Sequence, residues 1–455
     1  MSFPQGFLWG AAASSYQIEG AAFEDGKGLS VWDMLCRRPG AVWSGHTGEV
    51  ADDHYHRYRE DVALMKEIGL KAYRFSISWP RVIPAGTGAV NPAGLDFYDR
   101  LVDELLAAGI EPWITLFHWD YPYELFCRGG WLNPYSSDWF ADYTAVVVRR
   151  LSDRVRHWMT LNEPQCFIGL GHLEGVHAPG LKLDWPEVLR GWHNSLLAHG
   201  KAVAAIRAHS KTAAVIGAAP TGFIAHPASD SPADIEAARR ATFTVHERTL
   251  WNHHMFYDPV YKKEYPPEAA AVFGKAMPQI GPRDMDIIGQ PIDFTALNYY
   301  QGMAVRAGED GRPAVVPPPV GAPLTLFHWH VMPQGLYWGP KFLYERYGKP
   351  IYVTENGCSG MDWVALDGRV HDPARIDFTR RYLRELGRAI ADGVDVRGYF
   401  HWSILDNFEW AEGYKHRFGL VYVDYATQKR ILKDSAYWYR EVIASNGANL
   451  SRSQF

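Results

Sequence analysis

Amphipathic helical stretches and apolar strand runs alternate along the chain. In the first clear unit Tyr55, Tyr58, Val62 and Met65 fall on one face of a 3.6-residue helix. That helix stops at Gly69, and the apolar run at 72–78 follows as a strand. A second unit runs from Leu95, Tyr98, Leu101 and Leu105 to Gly109, then enters a strand at 112–118. A third ends at Gly393 and enters 396–402. Glycine at these stops fits the left-handed residue that follows a helix. Further strands are predicted at 7–12, 157–162, 213–218, 293–298 and 351–354, which brings the total to eight. Strands alternating with helices imply parallel pairing through right-handed crossovers. Eight such units predict an α/β fold: one (β/α)8 TIM barrel with elaborated βα loops, spanning 1–455 as a single domain. An open doubly wound sheet would need a phosphate-binding glycine turn after an early strand. The run Gly169-Leu170-Gly171-His172-Leu173-Glu174-Gly175 has the wrong spacing for that. Extra helices are expected between 219 and 293, and the Pro-rich run 316–320 reads as part of a βα loop.

Composition narrows the class. The 455 residues are 47% hydrophobic and 21% charged, as in an ordinary globular protein, and the net charge of −5 argues against nucleic acid or an anionic membrane as partner. Trp, Tyr and Phe make up 14% of the chain, enough to fill a core and also to stack on sugar faces. Cys36, Cys127, Cys166 and Cys358 are scattered, so neither a disulfide framework nor a zinc site is expected. The first residues lack a basic and apolar leader, and no run is long enough to span a bilayer. A cytoplasmic location is therefore expected.

In a barrel, chemistry gathers where strand C-terminal ends meet the βα loops. Those ends supply Gln17, Arg74, His118-Trp119, Asn162-Glu163, Asn298-Tyr299-Tyr300, Glu355 and Trp402, with Glu409-Trp410 just beyond. An isolated His118 or Trp402 would read as core, but on successive strand ends the set reads as a pocket for a neutral polyol. Glu163 and Glu355 are the pair that glycosidic-bond hydrolysis needs, one proton donor and one nucleophile or base.

At these runs the chain resembles a family 1 glycoside hydrolase of the β-glucosidase type. The resemblance rests on Thr-Leu-Asn-Glu-Pro at 160–164, Thr-Glu-Asn-Gly at 354–357, Tyr-Arg-Phe-Ser-Ile-Ser-Trp-Pro-Arg at 73–81 and His-Trp-Ser-Ile-Leu-Asp-Asn-Phe-Glu-Trp at 401–410. It implies a retaining mechanism with Glu355 as nucleophile and Glu163 as acid/base, their carboxyls about 5–5.5 Å apart. Arg74, Asn298 and Tyr300 would support the nucleophile. Asn162 would bond the 2-hydroxyl, and Trp402 would form the stacking floor. Gln17, His118, Trp119, Glu409, Trp410 and Phe418 would complete the glycone site, while Cys166, His177 and Trp329 would face the aglycone. The resemblance implies no metal and no cofactor. Implied substrates are cello-oligosaccharides and aryl or alkyl β-glucosides cleaved at the non-reducing end, with β-galactosides, β-fucosides and transglycosylation as further activities. The field of ionised Glu355 is expected to raise the pKa of Glu163.

Two other readings stay in view: a non-catalytic sugar-binding barrel and a 6-phospho-β-glucosidase. The two carboxylates count against the first. A Glu409 carboxylate that repels a phosphate dianion counts against the second. Glu163 itself favours O-glycosides, because relatives that cleave thioglucosides lack the acid. The chain departs from the family pattern at Gln165, at Tyr121-Pro122-Tyr123-Glu124, and at His330 and Met332. All are expected near the aglycone. Asp52-Asp53-His54-Tyr55-His56 resembles a metal cluster, but His54 and His56 do not share a helical face. Asp52 or Asp53 is read instead as a helix N-cap.

Overall fold

A computed structural model describes residues 3–309 and 311–451. The single domain expected over 1–455 includes residues 1, 2, 310 and 452–455, which lie outside the described residues. Eight parallel strands form the barrel wall: β1 (Leu8–Ala12), β2 (Ala72–Ser76), β3 (Glu111–Phe117), β4 (His157–Asn162), β5 (Val215–Ala219), β6 (Thr295–Asn298), β7 (Ile351–Asn356) and β8 (Val396–Trp402). Their order is β5-β4-β3-β2-β1-β8-β7-β6. The ring closes between β5 and β6, where the Asp293 amide donates to the Ile216 carbonyl and the Ile216 amide to Asp293 Oδ2, both at 2.7 Å. All eight predicted strands are present, with ends moved by up to two residues or so.

The helices follow the apolar periodicity. Helix His54–Ile68 buries Tyr55, Tyr58, Val62 and Met65, and Gly69 ends it at φ 83°, donating its amide to the carbonyls of Met65 and Lys66. A side chain is strained at that φ, which explains the glycine. The N-cap reading is corrected at the other end of this helix. Asp53 occupies the N-cap position at φ 53°, but its side chain caps nothing. Asp53 binds His56 and Arg57 instead. Asp52 is wholly buried with both carboxylate oxygens unpartnered, and burial pushes its pKa well up.

Large aromatic side chains plug the barrel. Trp113, Met159, Phe294 and Phe400 form the interior cluster. Two strand glycines make room for them. A Cβ at Gly217 would meet the Phe294 ring at 2.4 Å, and one at Gly10 would meet Phe400 at 2.5 Å. Burial of each ring contributes roughly 2–3 kcal/mol, so the plug forms a rigid floor under the upper end.

Register slips where the chemistry is expected. The β4–β5 ladder shifts between Met159 and Asn162. The ladders of β7 shift between Val353 and Glu355 on one side and between Val353 and Asn356 on the other. Such bulges re-aim side chains at barrel rims. They fall at the ends of the two strands that lead to Glu163 and Glu355.

The long segment after β5 holds four α-helices, Pro232–Phe243, His254–Lys262, Pro267–Phe273 and Asp284–Ile288, as expected. Two small sheets were not foreseen. One joins Ile224–Pro227, Gly302–Ala307 and Pro313–Val316, and the other is the hairpin Val421–Asp424 with Lys429–Leu432. The Pro-rich run follows the first of these within the loop after β6. Among the described residues no helix is long and apolar enough to cross a membrane.

Candidate active site

A cavity of about 420 Å³ opens at the C-terminal ends of the strands. His118, Trp119, Glu163, Tyr300, Glu355, Trp402, Glu409, Trp410 and Phe418 line it, as do Cys166, His177 and Trp329. Gln17, Arg74, Asn162 and Asn298 do not line it; each lies behind and holds a residue that does.

Glu355 is bonded at both oxygens. Arg74 Nη1 donates to Oε1 at 2.5 Å, and the Tyr300 hydroxyl donates to Oε2 at 2.7 Å. Two charge-assisted or phenolic donors fix the orientation of the carboxyl. Arg74 is itself locked in place, donating to Thr115 Oγ1, the Thr354 carbonyl and Asn162 Oδ1. Burial first, then Glu355, pushes the Tyr300 pKa well up, so the phenol remains a donor. Arg74 and Glu355 are both almost fully buried. Breaking such a pair costs about 3–5 kcal/mol, because it strands the remaining charge.

Among the described residues Glu163 forms no ion pair. Asn298 Nδ2 donates to its Oε1 at 2.9 Å, and the Cys166 thiol donates to Oε2 at 3.2 Å. Its pKa is pushed up to about 8, by burial first and by Glu355 second. The expected cause is therefore only the lesser one. Glu163 sits at φ 44°, while Trp119 and Trp410 sit at 80° and 53°. Left-handed backbone at a non-glycine residue costs on the order of 1–3 kcal/mol and clusters at functional sites. The Glu163 amide donates to the Ala219 carbonyl at 2.8 Å, which anchors the turn to β5.

The hydrogen bonds orient the remaining polar groups. Asn162 Oδ1 accepts from Arg74 Nη2 at 2.6 Å and from Asn298 Nδ2 at 3.0 Å. Its Nδ2 must therefore be the donor to His118 Nε2 at 3.2 Å. His118 is neutral, since burial and Arg74 hold its pKa well down. Its proton is then on Nδ1, which is buried and has no protein partner. That leaves a free donor on a cavity-lining ring, suited to a ligand hydroxyl. Gln17 sits in the short helix Ser15–Ile18 just after β1, and its Nε2 reaches Asn407 Oδ1 at 3.0 Å, the Phe408 carbonyl at 2.9 Å and Glu409 Oε2 at 3.4 Å. It braces the loop that carries Glu409.

Glu409 requires a correction. Burial, then Glu355 and Glu163, push its pKa well up. Charge repulsion is therefore a weak reason to exclude a phosphate. A better one is that no Lys or Arg is among the described residues lining the cavity. A phosphate dianion would enter without a lining counter-charge beside four carboxyls, those of Glu163, Glu355, Glu409 and Glu412.

The mouth is aromatic. Phe327 and Trp329 stack at 4.5 Å, Phe327 stacks on His416 at 3.8 Å, and Tyr300 meets Trp329 at 5.5 Å. His177 packs against Trp32 and Trp119. Sequence reasoning missed Thr221, Phe223, Trp251, Gln301 and Phe327 as lining residues. They lie in the long loops after β5 and β6, where no period marks them. Of the family departures, Gln165, Tyr121–Glu124, His330 and Met332 are not lining residues themselves, but Gln165 and His330 adjoin the lining residues Cys166 and Trp329. Gln165 is buried and ties two loops together, donating to the Asn252 carbonyl and accepting from the Thr221 amide, both at 3.2 Å.

This geometry can be set beside known proteins. A 1,4-β-D-glucan glucohydrolase of Thermotoga neapolitana is 47% identical over 98% of this chain and 99% of its own. A bifunctional β-D-glucosidase/β-D-fucosidase of Bifidobacterium breve is 41% identical over 98% of this chain and 99% of its own. The solved structure of a β-glucosidase from Thermotoga maritima in complex with glucoimidazole superposes with a TM-score of 0.90 at 46% identity, covering 98% of this chain and 99% of that one. The family model described as glycosyl hydrolase family 1 matches residues 1–448, and with relatives this similar along their whole length the chain belongs to that family.

Proposed function

We propose that the chain is a retaining β-glucosidase that releases terminal β-D-glucosyl residues from oligosaccharides and from aryl or alkyl β-glucosides. The observation that carries this reading is the opposite dressing of two buried carboxyls: Glu355 accepts from a guanidinium and a phenol, while Glu163 has only an amide and a thiol. In this mechanism Glu355 attacks the anomeric carbon as Glu163 protonates the leaving oxygen, which yields a glycosyl ester on Glu355. Esterification removes the Glu355 charge, one of the two causes that raise the Glu163 pKa. Glu163 can then deprotonate the incoming water, which opens the ester. His118 Nδ1–H and Glu409 bond glycone hydroxyls, Asn162 holds His118 from behind, and Trp402 supports the ring face.

The names of the relatives support glucose as the glycone, and the bifunctional relative supports β-fucosides as a second substrate. The reading includes one catalytic domain over 1–455 and a cytoplasmic location. Four cysteines, all free, suit a reducing compartment. The test is hydrolysis of 4-nitrophenyl β-D-glucoside monitored by NMR of the released sugar. β-Glucose as first product supports the reading, and α-glucose or no turnover overturns it.

A further inference from the structure

The two oxygens of Glu163 meet donors of different strength. Oε1 accepts from the Asn298 amide at 2.9 Å. That amide cannot turn round, since its own Oδ1 accepts from the Thr354 hydroxyl at 2.6 Å. A proton on Oε1 would therefore confront an N–H. Oε2 faces only the thiol of Cys166 at 3.2 Å. A thiol is a weak donor and a weak acceptor, and it can rotate to suit either partner. Cys166 is buried, lines the cavity, and lies three residues beyond Glu163 in the helical turn that starts at the strand end.

We propose that Cys166 is a positioning residue that makes Oε2 the proton-bearing oxygen of Glu163 and sets the pH at which that proton is lost. The inference rests on Glu163 being the acid/base. When Glu163 is protonated, the sulfur accepts weakly or turns away, and the proton stays available to the leaving oxygen. When Glu163 is ionised, the thiol donates to it. The thiol stays protonated throughout, because burial and Glu163 push its pKa well up. A hydroxyl in its place would bond the carboxylate more strongly and favour ionisation. A methyl group would offer nothing.

The test compares Cys166→Ser and Cys166→Ala with the unmodified enzyme across pH. The readout is the basic limb of kcat/KM on methyl β-D-glucoside, whose leaving group needs a proton. The limb should move to lower pH in the serine variant and to higher pH in the alanine variant. A shift of about half to one pH unit is expected, roughly three- to tenfold in rate on the limb. On 2,4-dinitrophenyl β-D-glucoside, whose leaving group needs no proton, the opposite displacements should disappear. Limbs that coincide in all three proteins would overturn the proposal. So would equal losses on both substrates at every pH, the mark of a merely structural role. Failure of the underlying reading is seen separately. If Glu163→Ala cleaved methyl β-D-glucoside as fast as the unmodified enzyme, Glu163 would not be the acid, whatever the cysteine variants do.

Discussion

The barrel has a cavity at each end, and the two are close in size. The lower one, at the strand starts, measures about 370 Å³ and is lined by Glu111, His157, Asp395 and Arg397 around Trp113 and Tyr352. The upper one measures about 420 Å³. In the lower cavity each carboxyl has a basic side chain beside it: Arg397 lies 2.7 Å from Asp395, and His157 Nδ1 lies 2.6 Å from Glu111. Of the carboxyls that line the upper cavity, Glu355 is paired with Arg74 and Glu412 with Lys415, while among the described residues neither Glu163 nor Glu409 forms an ion pair. Volume does not separate the two ends. Unbalanced buried charge does, because it displaces pKa values and so creates groups able to hold or release protons near neutral pH.

The sharpest way to break this comparison is to remove the nucleophile. Glu355→Gln should cut kcat on 4-nitrophenyl β-D-glucoside by about 10⁴-fold or more, the scale seen when a nucleophile is removed. Substantial residual activity, measured by initial rates on freshly purified protein, would sink the assignment.

Arginines at the two ends give the next contrast. Arg74→Met should lower kcat/KM by about 10²–10³-fold, since it strands Glu355 without its buried partner. Arg397→Ala removes an exposed pair and should leave stability within about 0.5 kcal/mol. Its kinetics should not change. Steady-state rates and thermal melts on both variants decide the matter, and equal effects would erase the distinction between the ends.

A smaller effect concerns pH. Glu163 is the proton donor only while it is protonated, and its pKa stands at about 8. For a substrate whose leaving group needs a proton, kcat/KM should be lost as pH rises through about 8, falling roughly tenfold per unit beyond it. In Glu355→Gln the Glu163 pKa should drop, because a neighbouring negative charge is gone. It should still exceed the ordinary carboxyl value, because burial is the larger cause. ¹³C NMR titration of the side-chain carboxyl measures this, and an ordinary value in the variant would reverse the order of causes.

The smallest effect belongs to the mouth. Trp329→Ala removes one stacked ring worth about 0.5–1.5 kcal/mol. KM for an aryl glucoside should rise a few-fold while kcat for the same substrate changes little. An equal rise for methyl β-D-glucoside would show that Trp329 belongs to the glycone site.

Much of this was legible in the sequence, and the reason is physical. Continuous apolar runs mark strands buried on both faces and period-3.6 patterns mark helices buried on one, so the eight strands and the glycine-stopped helices could be read directly. The strand ends then named Glu163, Glu355, Arg74 and Tyr300, which the structure brings together. What could not be read depends on backbone detail or on distant contacts. The bulges in β4 and β7 and the left-handed Glu163 leave no mark in a hydrophobic pattern. Asp53 is the right residue type for a cap, but its backbone turns the side chain elsewhere. The position of Gln165 after Glu163 places it near the aglycone side, but that its amide ties two loops together depends on contacts distant in the chain. The order of causes behind the Glu163 pKa required burial, which no motif encodes.

The division of labour between the two glutamates is tested most directly by trapping the intermediate. The enzyme is incubated with 2,4-dinitrophenyl 2-deoxy-2-fluoro-β-D-glucoside, digested, and mapped by mass spectrometry. One fluoroglucosyl group on Glu355 is the predicted result. A label on Glu163, or inactivation without any adduct, would contradict it.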